Sequence, residues 1–404
     1  MEWKEYNICQ LCDTISETYK GKSNSVVLIN TSDVLEGKVL NHKRVPNKGL
    51  KGQFKKSFKK NDILYSEIRP ANKRFAYINF SPNDYIASTK LMVLRSKPIV
   101  SSHFLFQILK SEIVLKNLQM LAESRSGTFP QITYSELSNV RVKVPPLPVQ
   151  DKIVGILSAL DSKIENNNKI NANLEAQAEA LFKSWFVDFT PFKDQPFVDS
   201  ELGPIPQGWK VGKLGDYCEV KSGYAFKSSW WTNKGYKIIK IKNISENGDI
   251  NLNDCSCVLP ENCDKAKNFI ANTGDIVIAM TGATIGKFNI IPKIDEKFYI
   301  NQRVGKFFLG EKPIEKVPYI YCFLKQENIS TQIIQKGQGS AQPNISGADI
   351  ESIPMLTPMS IILKYNKMCQ PLFEKILSNR LESKKLSALR DTLLPKLMSG
   401  EIKL

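Results

Sequence analysis

An internal duplication constrains this chain more tightly than any other feature of it. NDILYSEIRPANKRFAYI at 61–78 aligns without a gap on GDIVIAMTGATIGKFNII at 274–291, placing Asp62 on Asp275, Ile63 on Ile276 and Arg74 on Lys287, an offset of 213 residues. The same offset carries Thr89-Lys90 onto Gln302-Arg303, Pro130 onto Pro343, Ile132 onto Ile345 and Pro145 onto Pro358. Nearer the start of each copy the register slips, as a loop insertion would cause: Trp3-Lys4 matches Trp209-Lys210 and Cys12 matches Cys218. The chain therefore reads as one unit of a little over 200 residues written twice. Two diverged copies imply one task performed on two different targets.

Each copy runs through the same order: short alternating strands with turn residues, a proline-marked boundary, then a long helix. After VPPLP, the segment 149–186 is free of proline and poor in glycine, with high helix propensity. Its apolar residues Ile153, Leu157, Leu160, Ile164, Leu174, Ala178, Leu181 and Trp185 recur at alternating spacings of four and three. Asn167 and Asn171 fill the two missing seam positions, a polar interruption that fixes register at some cost in stability. The second copy ends similarly, with Leu372, Ile376, Asn379, Ser383, Leu386, Leu389 and Leu393 along the seam and Pro395 expected to kink or end the helix. Matching interruptions predict that the two helices pack antiparallel, and at about 1.5 Å per residue the first spans roughly 57 Å.

The expected fold is α+β and pseudo-two-fold: two mixed-sheet domains separated by an antiparallel pair of long helices. The boundaries read as 1–147, a central helix at 148–189, a Pro/Gly-rich linker at 190–208, a second domain at 209–357, and a distal helix with its tail at 358–404.

Several chemistries are poorly supported. TGDIVIAMTGATIGK resembles a phosphate loop, but Gly282 to Gly286 is one residue too short for G-x-x-x-x-G-K-[ST], and Phe288 replaces the magnesium-binding hydroxyl. Its twin has Arg69 and Lys73 where the glycines stand. No N-P-P-[FY] tetrad marks an amino-methyltransferase. Asp275 with Asp295-Glu296-Lys297 fits a magnesium nuclease only loosely. Cys9 and Cys12 form one C-x-x-C, and Cys255, Cys257 and Cys263 a loose cluster, without the second pair that a zinc site needs. His42 and His103 have no partners for a triad. Neither metal nor cofactor is expected. Without an 18-residue apolar run or a signal-peptide core, the chain reads as cytoplasmic and unattached to membrane.

The charge points elsewhere. Lys and Arg number 56 against 40 Asp and Glu, a formal net charge of +16, and residues 1–147 carry 23 basic against 12 acidic side chains. A polyanion is the natural partner.

PPLPVQDKIVGILSALDSKI, LFKSWFVDFTPF, GPIPQGW and LRDTLLPKLMSGEI together resemble the DNA-specificity subunit of type I restriction-modification systems, across essentially the whole chain. The second boundary, TPMS, departs from the PPLP of the first. The resemblance implies a non-catalytic subunit whose two target recognition domains each read half of a bipartite, asymmetric site on double-stranded DNA. It also implies that the helices act as a ruler and dock two methyltransferase (modification) subunits, with restriction subunits joining the assembly. The competing class is a helical scaffold that binds proteins, its charge serving only solubility.

Under the first reading, HKRVPNKGLKGQFKKSFKKN supplies phosphate contacts through Lys43, Arg44, Lys55, Lys56, Lys59 and Lys60. Sequence has to be read by base-edge contacts, for which Arg or Lys suits guanine and Asn or Gln suits adenine. Candidates are Asn72, Lys73, Arg74, Thr89, Lys90, Arg125, Ser126 and Thr128 in the first copy. In the second they are Thr284, Lys287, Gln302, Arg303, Gln338, Ser340 and Gln342. For the helix pair and its partners the expected contacts are Leu157, Leu160, Ile164, Leu174, Leu181, Trp185, Ile376, Leu386, Leu389 and Leu393.

Overall fold

The computed structural model describes residues 3–50, 52–124, 130–245, 250–338, 343–402 and 404. Two compact units emerge, Met1–Ser162 with Leu386–Leu404, and Lys163–Lys385. Both long helices contribute a segment to each unit.

In the first unit one sheet orders its strands Cys12–Ile15, Leu91–Ser96, Ile63–Ser66 and Phe75–Tyr77, antiparallel throughout. The other orders Arg44–Pro46, Ser25–Ile29, Tyr85–Ser88 and Phe54–Lys56, with its middle pair parallel. Strand ILYS at 63–66 is buried along its whole length. Successive side chains of a strand point to opposite faces, so Leu64 packs with Val27, Ile29 and Ala87 of the second sheet while Ile63 and Tyr65 pack with Phe104, Leu105 and Leu118 of the helices. Those helices, Ser102–Leu109 and Glu112–Glu123, begin at Ser101 and Ser111, whose hydroxyls accept from the N–H of Phe104 and Val114.

The second unit repeats this plan. Glu219–Ser222, Val304–Phe308, Ile276–Ala279 and Phe288–Ile290 form the antiparallel sheet. Ile276 and Ile278 face helices Val317–Lys325 and Glu327–Lys336, and Val277 and Ala279 face the other sheet. That second sheet carries one more strand than its twin, Trp231–Thr232, beyond Ser256–Val258. The extra strand follows from a longer connection, 223–235 against 16–24 in the first unit.

The central helix spans Leu147–Phe186 and the distal helix Met359–Ser399. The distal helix continues through Pro395 rather than ending there, running four more residues to Ser399. Within each unit the two segments run antiparallel. In the second, Asn379 donates to Asn171 at 2.8 Å, Asn167 donates to Glu382 at 2.9 Å, and Arg380 pairs with Glu175 at 3.1 Å. In the first, Arg390 pairs with Asp161 at 2.7 Å.

Leu157 and Leu393 join the first unit's core, and Leu174, Leu181, Trp185 and Ile376 the second's. Leu160, Ile164 and Leu386 are half-buried. Leu389 departs from its expected place in the seam: it is 48% exposed, and the inward positions are taken by Arg390, Leu394 and Leu397. Alternating steps of four and three continue from Leu386 to Arg390, Leu393 and Leu397, so Leu389, apolar but one residue short of the count, falls outside the seam. The segment read as a linker is structured as well. Phe197–Val198 pairs with Ile205–Pro206, and Trp209 packs edge-on against Phe189 and Phe192. Among the described residues no helix is long and apolar enough to cross a membrane.

Candidate nucleic-acid interface

The 213-residue offset found in the sequence recurs in backbone hydrogen bonds. Glu67 N–H donates to Lys90 C=O at 3.1 Å, and Met280 N–H to Arg303 C=O at 3.0 Å. Arg69 N–H donates to Pro130 C=O and Gly282 N–H to Pro343 C=O, each at 3.0 Å. Ile132 N–H reaches Glu67 C=O at 2.8 Å, and Ile345 N–H reaches Met280 C=O at 2.9 Å. Isolated bridges join Ile68 to Gln131 and Thr281 to Asn344. Three loops are thus sewn together in each unit: the hairpin connection at 67–74 or 280–287, the turn at 88–90 or 301–303, and the segment starting at Pro130 or Pro343. Binding residues concentrate on loops held by a rigid scaffold, and here the scaffold is built twice.

The first unit's frame brings together Asn72, Lys73, Arg74, Thr89 and Lys90. Asn72 is exposed at the hairpin tip. Lys90 is 51% exposed, with Glu67 at 3.9 Å and Gln131 at 3.5 Å. Two neighbours have duties within the fold. The Arg74 guanidinium donates to the carbonyls of Ser32 and Val34 at 3.0 and 3.4 Å, and Lys73 pairs with Glu36 at 3.6 Å. In the second unit Gln302 and Arg303 are exposed on the equivalent turn, and Thr284 and Lys287 belong to the hairpin. Gln338 is exposed where helix Glu327–Lys336 ends. Arg125, Ser126, Thr128, Ser340 and Gln342 lie outside the described residues.

The basic run does not form one patch. Lys55 and Lys56 lie on strand Phe54–Lys56, beside the Thr89 turn, where Thr89 N–H donates to Gln53 C=O at 2.7 Å. Lys56 donates to the carbonyls of Thr89 and Leu91 at 3.1 and 2.8 Å, and burial lowers its pKa below the usual lysine value. Its ammonium holds the turn in place. Lys43 and Arg44 sit at the opposite edge of that sheet, Arg44 bonding Ser25 at 3.1 Å. Lys59 and Lys60 are exposed just before strand Ile63–Ser66, while the hairpin loop lies past its far end. Only Lys55 and Lys56 therefore adjoin the three-loop frame.

Gln131 and Asn344 were missed by the sequence reading. They follow Pro130 and Pro343, and the 213-residue offset makes them a pair of matched amides beside Lys90 and Arg303. Both have the side-chain type that reads adenine.

The residues of the alternative chemistries are otherwise engaged. Asp275 is buried, pairs with Lys306 at 2.7 Å and accepts the N–H of Asn272, also at 2.7 Å. Burial raises its pKa and Lys306 opposes the shift. Its twin Asp62 accepts the N–H of Lys59 and two bonds from Arg95 at 2.8 Å each. These carboxylates anchor the start of a strand and do not offer a magnesium ligand to solvent. The glycine-rich loop leads into strand Phe288–Ile290 instead of the helix N-terminus that a phosphate loop needs. Burial pushes the Cys12 thiol up to about 12 and Cys255 up to about 11, marks of unreactive thiols.

A family model described as type I restriction modification DNA specificity domain matches residues 1–176 and again 206–364, one match to each copy. The chain belongs to that family. Its role is accordingly DNA specificity and not catalysis. It is similar to the type I restriction enzyme HindI specificity subunit of Haemophilus influenzae, at 32% identity over 99% of this chain and 100% of that one. To the MjaIX specificity subunit of Methanocaldococcus jannaschii it is 30% identical, over 89% of this chain and 82% of that one. The crystal structure of a type I restriction-modification S subunit from M. genitalium has the same fold, with a TM-score of 0.58 at 18% identity over 98% of this chain and 96% of that one.

Proposed function

We propose that this specificity subunit reads a bipartite, asymmetric site on double-stranded DNA, one half through each unit's three-loop frame. The frame that recurs bond for bond at a 213-residue offset carries the reading. The same loop-to-loop bonds present Lys90 and Gln131 in one copy and Arg303 and Asn344 in the other, so one docking mode is fitted with different readers. Lys55, exposed beside the frame, gives the first half-site added phosphate contact, and Lys56 holds the Thr89 turn behind it. The helix pair sets the number of base pairs between the half-sites and docks methyltransferase subunits, two by the duplication, with restriction subunits joining them. Exposed apolar side chains on the distal helix support docking, Leu363 and Met368 in the second unit and Leu389 in the first.

Methylome sequencing of a host expressing the chain with its methyltransferase subunit tests this reading. The expected outcome is a motif of two specified halves around a fixed gap. Exchanging residues 1–147 for those of a relative should change one half only. Inserting about one helical turn near Asn171 should change the gap and leave both halves alone. A motif whose two halves both change on that exchange, or DNA binding that does not respond to salt, would sink the proposal.

A further inference from the structure

We propose that Lys227 of the second unit is a DNA-phosphate contact flanking the second half-site, a reading that rests on the three-loop frame being the DNA interface. The first copy's basic run at 42–61 has no equivalent in place: at the 213-residue offset, residues 255–274 carry two lysines against Glu261 and Asp264. The second copy has a run of its own elsewhere. Residues 220–245 hold six lysines and five aromatic side chains without one acid. They include the connection at 223–235, which is longer than its counterpart at 16–24.

Backbone bonds bring the start of this run to the frame. At the first unit's turn Thr89 N–H donates to Gln53 C=O at 2.7 Å, whereas the matching Gln302 N–H donates to Tyr224 C=O at 2.9 Å. Gly223 N–H reaches Val304 C=O and Tyr224 N–H reaches Ile300 C=O, each at 2.9 Å, so the loop brackets the turn that carries Gln302 and Arg303. A Cβ on Gly223 would collide with the backbone of Ile300 and Asn301, and glycine permits this approach. Each unit therefore braces one turn with a segment drawn from a different part of its copy, and both segments come from acid-free basic runs. The brace needs only a carbonyl, which any residue supplies. Basic character shared without shared position points to a polyanion beside the turn.

Within the run, Lys221, Lys237 and Lys242 pair with Glu219, Glu296 and Asp254, and Lys240 donates to Ser256 at 2.9 Å. Lys227 is exposed three residues past Tyr224, with its ammonium 5.3 Å from the centre of the Trp230 ring. Phe226, buried with Ile238 and Tyr299, anchors the loop between them. A cation–π contact at the surface steadies a lysine without neutralising its charge. An ammonium so held is a compact point charge, which suits a phosphate oxygen and reads no base.

The assembled complex of the full chain with its methyltransferase subunit provides the test, on a duplex carrying the wild-type motif titrated at several salt concentrations. Lys227→Gln should make the slope of log affinity against log salt shallower by about 0.9, the share of one phosphate. Between about 50 and 200 mM salt the variant should therefore lose affinity about 3.5-fold less than the wild type does. Its methylated motif should be unchanged, because a phosphate contact carries no sequence, and Lys227→Arg should keep the wild-type slope. Lys234→Gln removes the same charge beyond strand Trp231–Thr232 and should leave the slope alone. Arg303→Ala serves as the control for the interface. If Arg303→Ala relaxes the motif while Lys227→Gln keeps the wild-type slope, or if Lys234→Gln lowers the slope as much, the inference on Lys227 is overturned and the frame stands. If Lys227→Gln changes a specified base, the residue reads bases and the phosphate assignment fails. If neither Arg303→Ala nor Lys227→Gln changes binding, the frame reading falls and this inference with it.

Discussion

Replacing Lys306 by methionine tests the role given to the most deeply buried charge pair described. The Asp275 and Lys306 side chains retain 2% and 6% exposure at a separation of 2.7 Å. Methionine keeps an apolar stem and removes the cation, leaving Asp275 with the Asn272 N–H and leaving the Ile270 carbonyl without its 2.7 Å donor. Removing one partner of a buried pair costs about 3–5 kcal/mol. At about 2–4 °C per kcal/mol for a unit of this size, the melting temperature should fall by roughly 6–20 °C. Asp62 gives the internal comparison. Its partner Arg95 is 30% exposed, so water reaches the site, and Arg95→Met should cost only about 1–3 kcal/mol.

The pH dependence has a definite sign. Burial raises the pKa of Asp275, and the variant removes the opposing lysine. Between the unfolded carboxylate value, about 3.9, and the raised folded value, the folded chain holds a proton that the unfolded chain releases. The variant's deficit should therefore shrink on acidification and reach its full size above the folded pKa. Calorimetry of the full chain at several pH values measures this. The double variant Asp275→Leu with Lys306→Met should recover most of the loss. A single variant melting within about 2 °C of wild type, or a double variant no better than the single, would refute the reasoning.

Three further outcomes are expected. Lys90→Ala and Arg303→Ala should each relax the motif in one half only, by about 1–3 kcal/mol of discrimination, read by methylome sequencing and competition binding. Asn379→Leu alone removes the donor to Asn171 and should destabilise by about 1–2 kcal/mol, whereas Leu at both positions should raise the melting temperature. Burial and Lys110 lower the pKa of His103 below its usual value near 6.5. The folded imidazole thus stays neutral while the unfolded one gains a proton, so stability present above pH 6.5 is lost as pH falls toward the folded value. His103→Phe keeps the ring beside Tyr77, now stacked at 4.8 Å, and should flatten that acid limb in urea titrations.

Much of the architecture was legible because duplication is a long-range signal that needs no propensity scale. The 213-residue offset placed strand on strand, Thr89-Lys90 on Gln302-Arg303 and proline on proline. The heptad seam was legible where Leu157, Leu174 and Ile376 face the cores, and it failed at Leu389, where an apolar side chain was followed off the alternating count that leads to Arg390. Charge misled for another physical reason. HKRVPNKGLKGQFKKSFKKN looks continuous in sequence, but the first unit's two sheets distribute it over both edges of one and a strand end of the other, and nearby carbonyls take up Lys56 and Arg44. Adjacency along the chain says little about adjacency across strands.

The two copies also show which parts of the frame are free to vary. Each keeps an aspartate at the head of the buried strand, yet the answering cation moves: Lys306 corresponds to Val93, while the first unit uses Arg95, two residues further along the same face of its strand. A core polar contact can shift in this way provided that the carboxylate stays paired. At the hairpin the rule reverses. The left-handed φ and the N–H bond to the proline carbonyl, Pro130 or Pro343, are kept while the side chain is exchanged, arginine for glycine. A fold that holds its loop backbone constant and lets the side chains on it change is suited to acquiring a new target without rebuilding the loop. The frame then sets where a reader stands, and the residue standing there sets what is read.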